Sequence, residues 1–373
     1  MPACPSFAQP APQPAAGDAS PPGPSSPGRQ PVVVVAGGGI VGTAVAHALQ
    51  GPCQVILVDD GDFPGLAETR HALGILRATY GHPVLDEYAA ATWRFAVTQH
   101  EHPRSPVRLR WAALDGRPGR AAFLDHLLLL DALLLRARKG GCRLLTRTRV
   151  TGVHLRGGRV AGARIRPAPG GSEADLPADA VVLAPGPRPD TLALGGLPGG
   201  FADRFTRVKD VVVPFRLPAG GGTAGGARPP HGGAAGPEAS GDAGREDGDA
   251  QVITRRSLVW RFATGLEAGV LHAAARFAGD WAPPSFEELV ALVEDLYDRF
   301  HLPGEAEIDR ARTLIDLAGP GGLPFAGPVA PLGGAEGLFV AAGLGLEGLS
   351  LSVGVAQRVA RAVLEDLGLP SLP

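Results

Sequence analysis

The chain has 373 residues, 45% of them hydrophobic, and a formal net charge of −2 from 35 basic and 37 acidic side chains. This length exceeds one ordinary hydrophobic core and indicates two domains. The balanced charge argues against nucleic acid or an anionic membrane surface as a partner. The cysteines Cys4, Cys53 and Cys142 are an odd, widely spaced set. They argue against a disulfide framework or a cysteine-based metal site and favour a reducing, cytoplasmic location.

Two segments have a composition that does not favour folding. Residues 1–30 lack the basic region and apolar run of a secretory signal, and Arg29 is their only basic residue. Residues 219–250 contain no Val, Ile, Leu or aromatic side chain, so they cannot bury enough surface to offset their ordering entropy. We expect a disordered tail and a flexible surface insertion.

The run from Val32 to Leu49 is long and apolar enough to be a candidate membrane span. A spanning helix is disfavoured, because the run contains the cluster Gly37-Gly38-Gly39 and glycine destabilises a helix interior. The pattern instead predicts a buried strand at Val32–Val35, a turn with the spacing Gly37-x-Gly39-x-x-Gly42, and a helix over Thr43–Leu49.

A second strand is predicted at Gln54–Val58, followed at once by Asp59. In dinucleotide-binding folds the glycine turn approaches a pyrophosphate, and an acid about 20 residues further on accepts hydrogen bonds from the ribose hydroxyls. Strand, turn, helix, strand and acid occur here in that order. They predict an adenine dinucleotide site, and this segment leaves NAD and FAD open.

The C-terminal region favours FAD. Residues 337–364 predict a strand at Leu338–Ala341, a glycine-broken turn at Gly343–Gly348 and a helix from about Ser350. A second helix N-terminus can stabilise negative charge on a reduced flavin ring. The alternative is a turn that only packs. Two further helices, predicted over Phe123–Lys139 and after Ser285, are interpreted as packing elements.

Several of these motifs together resemble the D-amino-acid oxidase superfamily, in its glycine oxidase and sarcosine oxidase branch. They are the first glycine turn with Asp59, Thr148-Arg149-Val150, and the stretches "AVVLAPG" at 180–186, "GLPFAGPV" at 322–329 and "GLFVAAGLGLEGLSLSVGVA" at 337–356. The resemblance implies an α/β fold: a discontinuous Rossmann-like FAD-binding domain and an inserted α+β substrate domain on a mostly antiparallel sheet. We expect the FAD-binding domain in 31–72, 112–200 and 318–373, and the substrate domain in 73–111 and 201–317.

The resemblance also implies a set of FAD-binding residues. The first glycine turn would hold the pyrophosphate, the acid the ribose, the backbone of Val150 the adenine, and the C-terminal turn the isoalloxazine. The expected residues are Gly37, Gly39, Ile40, Val41, Gly42, Asp59, Asp60, Val150, Gly343, Leu344, Gly345, Leu346, Gly348 and Leu349.

The segment "HALGILRATYGH" at 71–82 is similar to the part of sarcosine oxidases in which an arginine beside the flavin pairs with the substrate carboxylate. The matching residue is Arg77, whose planar guanidinium suits a carboxylate. The alternative is a structural arginine. Tyr80 is a candidate for the wall of the same pocket. We therefore take Arg77 and Tyr80 as the candidate catalytic residues.

Three positions depart from the family pattern. Asp316 stands where glycine oxidase-like enzymes have a carboxylate-binding arginine, and Ser350 where sarcosine oxidases have a lysine. Glu267 falls near the position of their oxygen-activating lysine. Because no cysteine follows Cys142, the covalent flavin thioether of that branch is impossible, and we expect non-covalent FAD.

These observations predict an FAD-dependent oxidoreductase that oxidises the C–N bond of a small amine or amino acid to an imine. The alternative is a degenerate flavin-binding protein without efficient turnover, and an NAD-linked dehydrogenase is more distant. Flavin chemistry of this kind requires orientation and charge more than acid–base groups. The expected partner is the small-molecule substrate, with no nucleic acid and no transmembrane segment.

Overall fold

The structure is a computed structural model that describes residues 29–114, 117–216, 251–254, 258–264, 268–278, 285–300, 307–308 and 312–371. The predicted tail up to residue 28, the whole predicted insertion at 219–250 and Glu267 lie outside these residues. The expectations for them therefore remain predictions.

The described chain alternates helices and strands. The helices are α1 Ile40–Ala48, α2 Pro83–Glu101, α3 His126–Lys139, α4 Phe286–Phe300 and α5 Gly348–Asp366. The strands are β1 Val32–Ala36, β2 Gln54–Val58, β3 Ile75–Arg77, β4 Arg110–Leu114, β5 Arg117–Phe123, β6 Arg143–Leu145, β7 Thr148–Arg156, β8 Arg159–Pro167, β9 Ala174–Pro177, β10 Ala180–Leu183, β11 Thr206–Arg216, β12 Gln251–Thr254, β13 Leu258–Thr264, β14 Ala268–Ala278, β15 Glu307–Ile308, β16 Arg312–Ala318, β17 Phe325–Pro328 and β18 Leu338–Ala342.

A six-stranded sheet in the order β17-β18-β10-β1-β2-β6 forms the centre of the nucleotide-binding half. Its strands run parallel except β17, which is antiparallel to β18. The predicted strand Gln54–Val58 is confirmed at both ends. Strands from distant parts of the chain meet at β1 and β10, as expected of a doubly wound fold.

β1 is buried on both faces, which explains its continuous valine run. Val33 and Val35 belong to the core that contains α1, α3 and α5. Val32 and Val34 belong to a second core on the opposite face, shared with the three-stranded antiparallel sheet β7-β8-β9. The sheet is thus covered by helices on one face and by a small sheet on the other.

A nine-stranded, mostly antiparallel sheet forms the other half, with β15-β11-β14-β13-β12-β4-β5-β3 in order and β16 paired with β11. The predicted fold class, a Rossmann-like unit with an inserted antiparallel-sheet unit, is confirmed. β4 and β5 pair within this large sheet, although the predicted domain boundary at 112 assigns most of them to the FAD-binding domain. The domain boundaries themselves stay a prediction.

Both predicted packing helices are present. In α3, Asp125 is the N-cap, and its side chain accepts hydrogen bonds from the backbone N–H groups of Leu127 and Leu128. Gly140 is its C-cap. The second is α4. Among the described residues no helix is both long enough and apolar enough to cross a membrane, and the run at 32–49 is a strand, a turn and a helix.

α2 and α5 pack closely, which joins the segment after Arg77 to the C-terminal helix. A Cβ atom added at Gly354 would lie 2.2 Å from the Cα atom of Tyr88. The Thr92 hydroxyl accepts a 3.1 Å hydrogen bond from the Val353 N–H. This contact holds β3 and the start of α5 near each other.

Candidate functional site

A long cleft lies along the carboxyl ends of the parallel strands. It consists of two adjoining cavities of about 740 Å³ and about 660 Å³, which share Gly39, Glu68, Thr69, Ala184 and Gly186. The carboxyl edge of an open α/β sheet is where such folds bind ligands. The elongated shape suits a ligand with two separated ends.

The first glycine turn forms the middle of this cleft. Gly37 has φ +111° and donates its N–H to the Val58 carbonyl at 2.8 Å. A Cβ atom on Gly42 would lie only 1.8 Å from the Gly37 carbonyl oxygen. α1 therefore begins against the turn, at Ile40 and three residues before the predicted start, with its N-terminus toward the shared part of the cleft.

Asp59 lies at the end of β2, as predicted, and lines the smaller cavity. Its Oδ2 accepts a 2.6 Å hydrogen bond from the Gly38 N–H, and its Oδ1 accepts one of 2.9 Å from the Gly61 N–H. Burial raises the pKa of Asp59, while the two backbone hydrogen bonds lower it. Each carboxylate oxygen has two lone pairs, so the same group can still accept a hydrogen bond from a ligand hydroxyl.

Asp60 lines the same cavity and is held by two arginines. Arg149 Nη2 lies 3.0 Å from Asp60 Oδ2, and Arg188 donates to the same oxygen. Val150 also lines this cavity and is almost fully buried. The structure thus places Gly37, Gly39, Asp59, Asp60 and Val150 around one cavity.

The C-terminal glycine turn lies opposite the first turn, across the larger cavity. α5 begins at Gly348, two residues before the predicted start. The remaining predicted residues, Ile40, Val41, Gly42, Gly343, Leu344, Gly345, Leu346, Gly348 and Leu349, all line this cavity. The two turns, from opposite ends of the chain, therefore form the walls of one space.

Arg77 and Tyr80 lie together, and their common partner was not predicted. Arg77 Nη1 lies 3.0 Å from Glu347 Oε1, and the Tyr80 hydroxyl donates to Glu347 Oε2 at 2.5 Å. The Arg77 guanidinium carbon lies 4.1 Å from the centre of the Tyr80 ring. Burial, and then the charge of Glu347, raise the pKa of Tyr80 well above its usual value, so its hydroxyl stays protonated and donates.

Glu347 borders a third cavity of about 350 Å³, which shares Ala72, Leu346 and Leu349 with the larger one. Glu347 therefore stands beside the cleft, next to the C-terminal turn. Arg77 and Tyr80 are not among the described residues that line these three cavities and adjoin the cleft through Glu347.

The departures from the family pattern have different surroundings. Asp316 lines the larger cavity, so a carboxylate stands at its wall. Ser350 is fully buried. Its hydroxyl accepts a 3.1 Å hydrogen bond from the Arg77 N–H and donates one of 3.2 Å to the Ile75 carbonyl. Ser350 thus ties β3 to α5. Glu267 lies outside the described residues.

Three residues of the site were missed from the sequence: Glu68, Thr69 and Glu347. Glu68 lines both cavities, and burial raises its pKa to about 7. The Thr69 hydroxyl accepts the Ile40 N–H at 3.1 Å. Glu347 carried a signal, because it is the only charged residue between Gly337 and Gln357. Glu68 and Thr69 lie in a short 3₁₀ helix without a recognisable pattern.

The first glycine turn fits the pyrophosphate of a dinucleotide such as FAD. A Cβ atom at Gly37 would lie 2.2 Å from the Ala184 carbonyl oxygen, so the turn is compressed against the strand and its backbone forms the cleft surface. Cys53 and Cys142 are free and buried, and burial raises the pKa of Cys53 to about 11.

The sequence profile of the family described as FAD dependent oxidoreductase, DAO, matches residues 32–117 and 117–362. The chain belongs to the DAO family of FAD-dependent oxidoreductases. Its cofactor is therefore FAD, and it is an oxidoreductase. No curated protein sequence matches it significantly.

Solved structures of this fold resemble the chain at low identity. Glycine oxidase from Bacillus cereus ATCC 14579 has a TM-score of 0.64 and 15% identity, over 91% of this chain and 98% of that one. L-proline dehydrogenase from P. horikoshii has a TM-score of 0.65 and 15% identity, over 93% and 96%. Iminodiacetate oxidase from Chelativorans sp. BNC1 has a TM-score of 0.61 and 18% identity, over 92% and 97%. At these identities they support the fold.

Proposed function

We propose that this DAO family member oxidises the C–N bond of a small amine or amino acid to an imine. The observation that carries the proposal is the larger cavity, walled by both glycine turns and bordered by the cavity beside Glu347. The three fold neighbours are named for glycine, proline and iminodiacetate, which are all amines. Water would then hydrolyse the imine to a carbonyl compound and the free amine.

We assign the cofactor contacts as follows. The turn with Gly37, Gly39 and Gly42 would hold the pyrophosphate, and Asp59 would accept hydrogen bonds from the ribose hydroxyls. The backbone of Val150 would contact adenine, and residues 343–349 would lie along the isoalloxazine. This assignment divides the chain into an FAD-binding domain (31–72, 112–200 and 318–373) and a substrate domain (73–111 and 201–317).

FAD held by these residues would supply the two-electron oxidant for removal of a hydride from the carbon next to a neutral amine. The chain's own residues exclude water and hold the substrate. Leu314, Leu317, Leu346 and Leu349 provide apolar walls, and the Asp316 carboxylate, which lines the same cavity, would attract a substrate ammonium group.

A second function, a flavin-binding protein without efficient turnover, is supported by the sequence resemblance, which aligns Asp316 and Ser350 with two basic residues of the family. The visible spectrum of the purified protein tests both functions first. A yellow protein that releases intact FAD on acid treatment supports either one, and a colourless protein with no FAD affinity contradicts both. Anaerobic reduction of the bound flavin by an amine panel then separates the enzyme from the inactive binder.

A further inference from the structure

We propose that Glu347 is a built-in counter-ion for Arg77, and that it selects amine substrates without a carboxylate on the reacting carbon. The inference rests on the proposed oxidation of a C–N bond and names its substrate class. It assigns to Glu347 the position that a substrate carboxylate would take at Arg77.

The Glu347 carboxylate is held by Arg77 and Tyr80. One oxygen pairs with Arg77 Nη1 at 3.0 Å, and the other accepts from the Tyr80 hydroxyl at 2.5 Å. Glu347 stands at the N-cap of α5, yet its side chain makes no capping hydrogen bond. Its carboxylate is directed to Arg77 and Tyr80 instead, and both of its oxygens are used.

Little of the Arg77 side chain is accessible. The Tyr80 ring covers one face at 4.1 Å. The Nε atom is buried, with no hydrogen-bond partner among the described residues. The Arg77 side chain is only 12% exposed, and that of Glu347 is 20% exposed. A planar fork normally binds a carboxylate through two adjacent N–H groups. Because Nη1 is paired with Glu347, a substrate carboxylate would have to share the guanidinium with Glu347 through Nε and Nη2.

Electrostatic repulsion acts against a second carboxylate at Arg77. A substrate carboxylate at Arg77 would place two carboxylates on one guanidinium in a poorly solvated site, and like charges at that distance repel strongly. No Lys, Arg or His is among the described residues that line the larger cavity, so no cation there would offset the second carboxylate. This balance favours a substrate whose only charge is an ammonium group.

A comparison of paired compounds tests the inference on the FAD-loaded enzyme. Each pair is an amine and the amino acid that adds one carboxylate to it, such as pyrrolidine with proline and dimethylamine with N-methylglycine. In stopped-flow anaerobic experiments on wild type, we expect each amine to reduce the flavin about tenfold faster, or more, than its amino acid does. Glu347→Gln should reverse that preference. Each factor of ten corresponds to about 1.4 kcal/mol.

A binding measurement decides the inference without turnover. Benzoate and acetate are titrated while the flavin absorbance spectrum is recorded. In wild type, the carboxylates should perturb the flavin spectrum only weakly. Glu347→Gln should bind them at least about tenfold more tightly, and the double variant Glu347→Gln with Arg77→Met should bind them weakly again. The matched control is Glu336→Gln, which removes an exposed acid paired with Arg159 at 3.4 Å on the surface and should change nothing.

The outcomes separate the two proposals. If neither compound series reduces the flavin, the proposed function fails, and the carboxylate titration still decides the role of Glu347. Tight carboxylate binding by wild type, or no gain in Glu347→Gln, overturns the inference. If Glu347→Gln does not retain FAD, Glu347→Asp shortens the side chain by one methylene, withdraws the carboxylate from Arg77 and should give a smaller gain in carboxylate binding. No gain there also overturns it.

Discussion

The Asp59 carboxylate accepts a 2.6 Å hydrogen bond from the Gly38 N–H, across 21 residues of sequence. This bond joins the end of β2 to the glycine turn after β1. A second bond, from the Gly61 N–H at 2.9 Å, fixes the other carboxylate oxygen. The group that we assign to the ribose therefore also shapes the turn that we assign to the pyrophosphate.

Asp59→Ala should weaken FAD binding by about 1.5 to 3 kcal/mol, the range for hydrogen bonds to a charged group. The apoprotein should also unfold at a lower temperature, because two backbone N–H groups lose their acceptor. Fluorescence titration with FAD and thermal unfolding measure the two effects. Asp62→Ala is the control, since the Asp62 side chain is 68% exposed and pairs with Arg147 at the surface. Unchanged FAD affinity in Asp59→Ala would refute the ribose assignment.

Glu68 should make the stability of the apoprotein depend on pH. Burial raises its pKa from 4.5 to about 7, opposed by the charge of Arg70. The folded state therefore holds this proton more tightly than the unfolded state. Its contribution to stability is largest below pH 4.5, falls as pH rises to about 7, and is constant above that. Glu68→Gln should remove this part of the pH dependence of the unfolding midpoint, whereas the exposed Glu87→Gln should retain it.

The same group should affect cofactor affinity, because it lines both cavities where we place the two ends of FAD. Above about pH 7 its negative charge opposes the pyrophosphate. The FAD dissociation constant of wild type should rise between pH 6 and 8 by more than that of Glu68→Gln, as measured by fluorescence titration at constant ionic strength. Parallel curves for the two proteins would exclude Glu68 from the pyrophosphate region.

Gly42→Ala should destabilise the fold strongly. The new methyl group would lie 1.8 Å from the Gly37 carbonyl oxygen, a backbone atom that cannot move aside cheaply. Overpacking of this kind costs about 1 to 3 kcal/mol or more, and urea unfolding measures it. Gly195→Ala is the matched control, because nothing lies within 4 Å of its added methyl. Equal midpoints for the two variants would contradict the close approach.

Thr69→Val should lower the free energy of unfolding of the apoprotein by about 1 kcal/mol, the typical net value of one hydrogen bond. The substitution removes the acceptor for the Ile40 N–H in the first turn of α1. Thr98→Val is the control, since the Thr98 hydroxyl bonds only to a carbonyl in its own helix at an exposed position. A larger loss in Thr98→Val than in Thr69→Val would show that the bond to α1 contributes little.

The local parts of the site could be predicted from the sequence, and its long-range contacts could not. The strand at Gln54–Val58, the turn at Gly37 and the acid at Asp59 follow one another within a short segment, so their spacing identifies them. Glu347 and Arg77 are separated by 270 residues. Their pairing depends on the packing of α2 against α5, which no local pattern encodes.

The exact starts of α1 and α5 also could not be predicted from the sequence. α1 and α5 each begin two to three residues earlier than predicted, because glycines near both starts suggested a longer turn. Gly348 nevertheless adopts helical dihedral angles of φ −50° and ψ −40°. Glycine permits both conformations, so its presence alone does not fix where a turn ends.

The central sheet also determines the order in which the protein can mature during synthesis. β1 is flanked by β2 and β10, and β10 requires β18, which lies more than 150 residues further along the chain. α5 supplies much of one core, including Val355, Ala356 and Val359, which are fully buried. The valines of β1 therefore emerge from the ribosome long before the residues that cover them. We therefore expect a nascent chain of this protein to leave this apolar strand uncovered, and exposed to aggregation, until translation has passed α5.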